Sequence, residues 1–418
     1  MRPPRTIGQV EADHIRTVFS VLLRINSEQC MNNGNNRILL IITLGLLSAF
    51  GPFVTDMYLP SLPEMQDNFA TTTSLVQLGL TTSMLGLAVG QLVVGPLSDK
   101  FGRRQLLLIS MWLFLLSTLA VIFAPNIYVF NAIRFIQGLA GAGGIVLSRS
   151  ISADLYSGRE LAKFLAIIAA VNGVAPVCAP IIGAAILNFT NWRGIFEALL
   201  GVGAVILLLS YLFHESLAKE KRNIGSIFKT YSNFGTVVRN KTCIFYILQQ
   251  AFIMGILFSY ISASPFILQT HYGLSSFLYG ICFGFNAIGI GLGSALSTKF
   301  RTSKIAVRFG TLAALILSIV TMTAMMMNAS VYIIEGCFFL LLTFLGITLP
   351  AAAAQALNAE LKNKGTASAL LGALAFAVGG IVSPLVGIGN IMITTGVIFL
   401  IFSLLSITSI IFAEKQQA

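Results

Sequence analysis

The sequence predicts an all-α polytopic membrane protein, with twelve transmembrane helices arranged as two pseudo-symmetric six-helix bundles. Three observations predict it. The 418 residues are 56% hydrophobic and only 10% charged, against about 25% charged in soluble proteins, which excludes a water-soluble globule. Apolar runs divided by short polar breaks recur from residue 38 to residue 413, each long enough to cross a hydrocarbon layer of ~30 Å. The chain also echoes itself. GPLSDKF (Gly95 to Phe101) recurs as SALSTKF (Ser294 to Phe300), 199 residues on, and APIIG (Ala179 to Gly183) as SPLVG (Ser383 to Gly387), 204 residues on. Two matches at nearly one offset argue for a duplicated six-helix unit.

The elements follow in chain order. Residues 1–36 form a polar arm of mixed charge whose apolar patch, Ile15 to Ile25, is too short to span. No small-residue cleavage site follows an apolar core, so the arm is not a signal peptide. Met31 begins MNNGNNRILL directly before the first span and is the expected native start. An N-terminal bundle fills 37–213, with spans 1 to 6 at about 38–58, 73–95, 104–124, 127–148, 161–188 and 193–213. The widest polar break, 214–242, is a basic linker between the halves. A C-terminal bundle fills 243–413, with spans 7 to 12 at about 243–268, 277–298, 304–326, 329–353, 364–388 and 391–413, and 414–418 is a tail.

Charge orients this chain. All 26 Lys and Arg except Arg134 and Arg193 fall in the arm or beside it at Arg37, in the breaks after even-numbered spans or the first residues of the spans that follow them, or in the tail. The positive-inside bias makes that side, and both termini, cytoplasmic. The net charge of +11 and pI near 9.6 therefore reflect topology, and no nucleic-acid partner is expected. Cys30, Cys178, Cys243, Cys282 and Cys337 are scattered and odd in number, without a CxxC pair, so neither a disulfide framework nor a metal site is indicated. No cofactor is expected. The glycine runs Gly138 to Gly144 and Gly289 to Gly293 lie inside apolar spans without a P-loop's Lys-Ser/Thr ending, and are expected to serve close helix contact. His14, His214 and His271 lie far apart, so no catalytic constellation forms and the chain is not an enzyme.

Gly95-Pro-Leu-Ser-Asp99-Lys-Phe-Gly102-Arg103-Arg104 combines a tight turn with one acid and three bases. It resembles the signature loop of the major facilitator superfamily. Arg134-Phe-Ile-Gln137-Gly138 resembles that superfamily's RxxQG motif. Gly173 to Gly183, with Pro176 and Pro180, resembles the proline-glycine motif of its drug:proton antiporters, though with Ala175 and Ala184 where that pattern favours glycine. Asn191-Trp192-Arg193 with Phe196 is similarly typical, and Asp56-Met-Tyr58-Leu-Pro60-Ser-Leu-Pro63 resembles the bicyclomycin-resistance (Bcr/CflA-like) branch. The second-half loop departs, having Thr298 where the acid would be. The resemblance implies gating roles for Gly95, Asp99, Gly102, Arg103, Arg104, Pro176, Pro180 and Gly183.

Ionisable groups at membrane depth are costly, so each is a functional candidate. Asp56 lies about 6 Å and Arg134 about 11 Å from the outer ends of spans 1 and 4, at 1.5 Å per residue, so an Asp56 to Arg134 pair is plausible. It would serve either as a proton switch or as a static packing pair. Glu335, in span 10, would carry a second proton or attract cationic cargo, or it is a rim carboxylate. Arg193 and Glu197 are spaced for an i,i+4 pair. Tyr58, Gln137, Asn172, Gln249, Asn286 and Phe338 are substrate-binding candidates, with hydrogen bonding or packing between helices as the alternative for each.

The resemblance implies a proton-coupled exporter of small amphipathic or drug-like molecules, working in the cytoplasmic membrane as a monomer by alternating access between two bundles. Its partners would be a small-molecule substrate, protons and the lipid bilayer. A proton-coupled metabolite transporter, for an amino acid or a polyamine, is the alternative; a non-transporting membrane sensor is less favoured.

Overall fold

The computed structural model describes residues 37–156, 158–218, 222, 234–360 and 364–416. The N-terminal arm with Met31, much of the linker and the last two residues lie outside the described residues, as does the Asn172 side chain. Twelve long helices correspond to the twelve spans. They are α1 (Arg37–Asp56), α2 (Thr73–Phe101), α3 (Arg103–Ile122), α4 (Ile127–Leu155), α5 (Gly158–Leu187), α6 (Trp192–Leu212), α7 (Lys241–Pro265), α8 (Ser276–Ser297), α9 (Ser303–Met326), α10 (Val331–Ala359), α11 (Lys364–Leu385) and α12 (Ile391–Lys415). A 3-10 turn (Leu59–Ser61) and a short helix (Leu62–Asn68) follow α1, and a π-helical turn (Phe266–His271) extends α7. Eleven of the twelve meet the length and hydropathy of a membrane span; in α5 the apolar stretch among the described residues is Gly173–Leu187.

Polar side chains set many of the helix starts. Asn126 accepts from Val129 N at 2.9 Å, Asn191 from Arg193 N at 2.9 Å and Asn390 from Met392 N at 3.0 Å, each satisfying an amide that the first turn leaves unpaired. The far ends run past the apolar windows. Helices α2, α4 and α10 are each 29 residues, or about 43 Å at 1.5 Å per residue, well beyond the hydrocarbon thickness. The expected tight turn at Gly95 to Arg104 is corrected accordingly. Residues 95–101 are the last turns of α2, and only Gly102, at φ 101°, makes the corner, a conformation that suits a residue without a Cβ.

Small residues bring helices together. A Cβ on Gly86 would lie 2.1 Å from Phe135 O, and one on Gly138 would lie 2.0 Å from Ser83 O, so α2 and α4 meet backbone to backbone. The second half repeats this at α8 and α10, through Gly293 against Thr343 O and Gly346 against Ile290 O. These contacts, with Gly143 against Ser110 and Gly144 against Leu47 O, account for much of the glycine runs, while a Cβ on Gly291 would meet nothing within 4 Å.

Helices α1 to α6 pack together, as do α7 to α12, and the halves meet through α2 against α11 and α5 against α8. Adding six to each helix number exchanges the two interfaces, the mark of a pseudo-two-fold axis. The echo of APIIG and SPLVG lies on α5 and at the end of α11, one helix from each of these two interfaces. We call the end carrying the loops after odd-numbered helices the odd-loop end, and the other the even-loop end. At the odd-loop end one continuous apolar core runs through both halves, from Met57, Leu80 and Trp192 to Ile261, Phe338 and Val386. At the even-loop end the core divides into two, one around Leu44, Leu107 and Ile151, the other around Tyr246, Val307 and Ala352. The halves are fused at one end and separate at the other.

Candidate functional site

Where the halves part, they enclose a cavity of about 380 Å³, within the size range of small-molecule sites. Its two walls differ in chemistry. The first half contributes Ser48, Thr55, Asp56, Gln91 and Arg149, beside Pro52 and Pro176. The second half contributes Met254, Leu257, Phe258, Ile290, Leu342 and Phe376, and its one polar side chain on the wall is Tyr260. The Tyr260 hydroxyl accepts from Asn286 Nδ2 at 2.9 Å, and the same nitrogen donates to Glu335 at 2.7 Å. Asn286 and Glu335 thus stand directly behind the Tyr260 wall.

Asp56 is 5% exposed and accepts a hydrogen bond from the Thr55 hydroxyl at 2.7 Å. The expected ion pair with Arg134 is not formed. Arg134 is fully buried, donates to Val54 O at 3.0 Å and to the Gln137 side chain, and stacks 4.4 Å from the Tyr58 ring. Helical geometry gives the reason. Val54 of α1 and Tyr58, in the turn just past its end, both contact Arg134 of α4, whereas Asp56, two residues on from Val54 and about 200° round the axis, faces the cavity. Similar expected depth did not mean a common face.

The cavity's odd-loop end is sealed by bonds between halves. Gln77 Nε2 on α2 donates to Ser262 O on α7 at 3.0 Å, and Gln269 Nε2 in the π-helical turn donates to Pro60 O at 3.1 Å. Ser276 steadies Gln269 by donating to its Oε1 at 2.8 Å. Helix α5 closes the same end. A Cβ on Gly183 would fall 1.8 Å from Met57 O, and one on Gly280 of α8 would meet Pro180 O and the Ala184 methyl, both at 3.1 Å. Where the antiporter pattern favours glycine at 184, this chain has alanine, and the facing helix supplies the missing space with Gly280.

At the even-loop end, Arg103 organises the first half. It donates to Asp99 at 2.5 Å, Ser98 at 2.5 Å and Asp154 at 2.8 Å, joining α2, α3 and α4. Glu215, just past α6, accepts from the amides of Arg103 at 2.9 Å and Arg104 at 3.3 Å, and Arg104 donates to Tyr211 O at 3.0 Å. A carboxylate thus sits at the N-terminus of α3, where the helix dipole favours it. In the second half Glu414, past the apolar part of α12, takes Arg308 of α9 in two bonds of 2.5 Å.

The other sequence-derived candidates separate by location. Gln137 donates to Thr118 at 2.7 Å, and Gln249 to Thr311 at 3.1 Å and Ser406 at 3.3 Å, so both join helices inside their own half. Tyr58 and Phe338 are likewise packed in the core, against Arg134 and Tyr260 respectively. A Cβ on Gly95 would make only an ordinary contact with Val146, at 3.9 Å. The Arg193–Glu197 pair is replaced. Arg193 lies over the Trp192 ring at 4.3 Å and donates to Ile122 O at 3.1 Å, while Glu197 is exposed. Sequence reading missed Gln77 and Gln269 as closing residues and Glu215 as a cap. It also assigned Arg149 to a polar break, whereas it lies within α4 and lines the cavity. The cap had a signal, since Glu215 and Glu414 are 199 residues apart, the offset of the GPLSDKF echo.

The model of the Major Facilitator Superfamily matches residues 44–384. An uncharacterized MFS-type transporter, YdgK of Bacillus subtilis, is 38% identical over 379 residues, covering 87% of this chain and 94% of the relative. A bicyclomycin resistance protein homolog of Haemophilus influenzae is 31% identical over 363 residues, covering 85% and 90%. Among solved structures, the xylose transporter XylE from E. coli superposes with a TM-score of 0.71 over 90% of this chain and 97% of that one, at 14% identity, a likeness of fold alone. Twelve helices in two halves, the matched model and these relatives lead to one conclusion: the chain belongs to the major facilitator superfamily, in its bicyclomycin-resistance-like branch, and is a multi-pass membrane transporter rather than an enzyme.

Proposed function

We propose that the protein is a proton-coupled antiporter that exports small amphipathic molecules across the cytoplasmic membrane, with both termini in the cytoplasm. The observation that carries this reading is the two-walled cavity, apolar on one half and polar on the other, with the Asp56 carboxylate opening onto it. The odd-loop end is then the outer face, and the structure corresponds to the state closed outside. Rocking the halves about the cavity would break the Gln77 and Gln269 bonds and bring the even-loop ends together.

Asp56 is the proposed proton carrier. It lies at membrane depth, is reached through the cavity, and lacks the fixed cation that would keep it ionised throughout the cycle. Glu335 is a second titratable group, coupled to the wall through Asn286 and Tyr260. Arg134, with Gln137 and Tyr58, holds α1 against α4 and so fixes the direction in which Asp56 faces. Asp99, Arg103 and Arg104, with Gly102, form a rigid corner that moves with the first half; Pro176, Pro180 and Gly183 form the hinge-side surface of α5. The unit is proposed to work as a monomer.

Reconstitution into proteoliposomes with an imposed pH gradient tests the function. Uptake of an amphipathic dye against its gradient, with counterflow of protons followed by a pH-sensitive fluorophore, is the expected result. Dye movement that ignores the gradient would reject coupling.

A further inference from the structure

Among the described residues, no acid neutralises one cation on the cavity wall. Arg149 lines it from α4, and among the described residues no ion pair or hydrogen bond is recorded for its guanidinium. Other arginines of this half are held by partners within it: Arg103 donates to Asp99 and Asp154, Arg104 to Tyr211 O, and Arg134 to Val54 O and Gln137. The acid nearest in sequence, Asp154, is otherwise engaged, accepting from Arg103 at 2.8 Å and from Ser216 at 3.2 Å. Opposite it stands the apolar wall of the second half, with Met254, Leu257 and Phe376.

Arg149 also lies far from the cavity's one carboxylate. Gly144 packs on Leu47 O; Arg149 is five residues beyond it along α4 and Asp56 nine residues beyond Leu47 along antiparallel α1, so their Cα levels differ by roughly 20 Å at 1.5 Å per residue. The two charges cannot cancel each other. A guanidinium facing a wall of low polarity is a strong, geometrically specific partner for a carboxylate or another oxyanion.

We propose that Arg149 is an anion-recognition site, and that the favoured cargo is an amphipathic organic anion, its carboxylate at Arg149 and its apolar body against the second-half wall. This rests on the proposed cargo role of the cavity and narrows it. Dansyl compounds of common fluorophore and different charge test it: dansylglycine (anion), dansyl amide (neutral) and dansylcadaverine (cation), read by emission increase on the purified full-length protein. A charge-assisted hydrogen bond of about 1.5–3 kcal/mol predicts that dansylglycine binds about tenfold or more tighter than dansyl amide. The ratio should fall to about 1 in Arg149→Gln and largely survive in Arg149→Lys. Size-exclusion profiles and thermal transitions identify a variant that fails to fold, and the Lys variant then carries the comparison. Equal binding of the three probes by the wild type, or an anion preference that survives Arg149→Gln, overturns the anion site while leaving the cavity reading in place. Binding of none overturns both.

Discussion

Gln77 of α2 and Ser262 of α7 are 185 residues apart in sequence and joined by a 3.0 Å hydrogen bond across the two halves. The bond lies inside the continuous core at the odd-loop end, with the Gln269 to Pro60 bond beside it. Gln77→Ala removes a donor without adding bulk. A net hydrogen bond of about 1 kcal/mol predicts an approximately fivefold larger population open at this end. Labelling a cysteine placed at Thr55, in a cysteine-free background, with an impermeant maleimide from the odd-loop side checks this. Unchanged labelling would show that the bond does not hold the closure.

Asp56→Asn keeps the size and the Thr55 contact but removes the titratable group. The expected outcome is loss of dye accumulation against a gradient with dye binding retained, measured in proteoliposomes with a pH-sensitive fluorophore. Normal proton flux in this variant would transfer the carrier role to Glu335.

Arg134→Ala should act through stability more than through coupling. The side chain is fully buried and its loss leaves Val54 O and Gln137 without a donor and empties the space beside Tyr58. A cost of about 2–4 kcal/mol is expected from the cavity and the unpaired groups, read as a lowered thermal midpoint in detergent. Arg134→Lys should recover only part of it, because an ammonium cannot stack as the guanidinium does on Tyr58.

Asp99→Ala should leave the fold in place, since Asp154 and Ser98 still hold Arg103. The Asp99 side chain is 48% exposed, so a stability loss under about 1 kcal/mol is expected. Asp154→Ala should cost more, because Asp154 ties α3 and Ser216 to α4. Thermal unfolding separates the two, and transport rates in Asp99→Ala show whether the corner also governs cycling. A larger loss in Asp99→Ala than in Asp154→Ala would contradict the geometry.

Gly138→Ala places a methyl 2.0 Å from a backbone carbonyl, whereas a Cβ on Gly173 meets nothing within 4 Å. Overpacking predicts a loss of about 1–3 kcal/mol at the first; the second should be neutral or gain up to about 1 kcal/mol from helix propensity. Paired thermal midpoints compare them directly.

The number and order of the helices were legible because membrane solvent imposes one rule, a long apolar window per span, and two sequence echoes at nearly one offset pointed to two similar halves. Helix ends were less legible. Residues 95–101 are charged and glycine-bearing yet helical, since beyond the hydrocarbon a helix needs only its backbone bonds and a cap. Span position along the sequence says nothing of azimuth. Asp56 and Arg134 sit on neighbouring helices, but which face each presents depends on how α1 packs on α4. Gln137 and Gln249 read like cavity residues because a buried amide has the same composition signal whether it faces cargo or Thr118 and Thr311.

The unequal walls of the cavity carry one further consequence. The two halves share one helix arrangement but not one cavity surface, the first holding the charges and the second a greasy face. Substitutions at Met254, Leu257 or Phe376 reshape the chamber without altering its electrostatics, while changes at Asp56 or Arg149 do the reverse. Selection can therefore retune the accepted molecular shape and the energetics of the cycle as separate traits, each inherited through its own half of the chain.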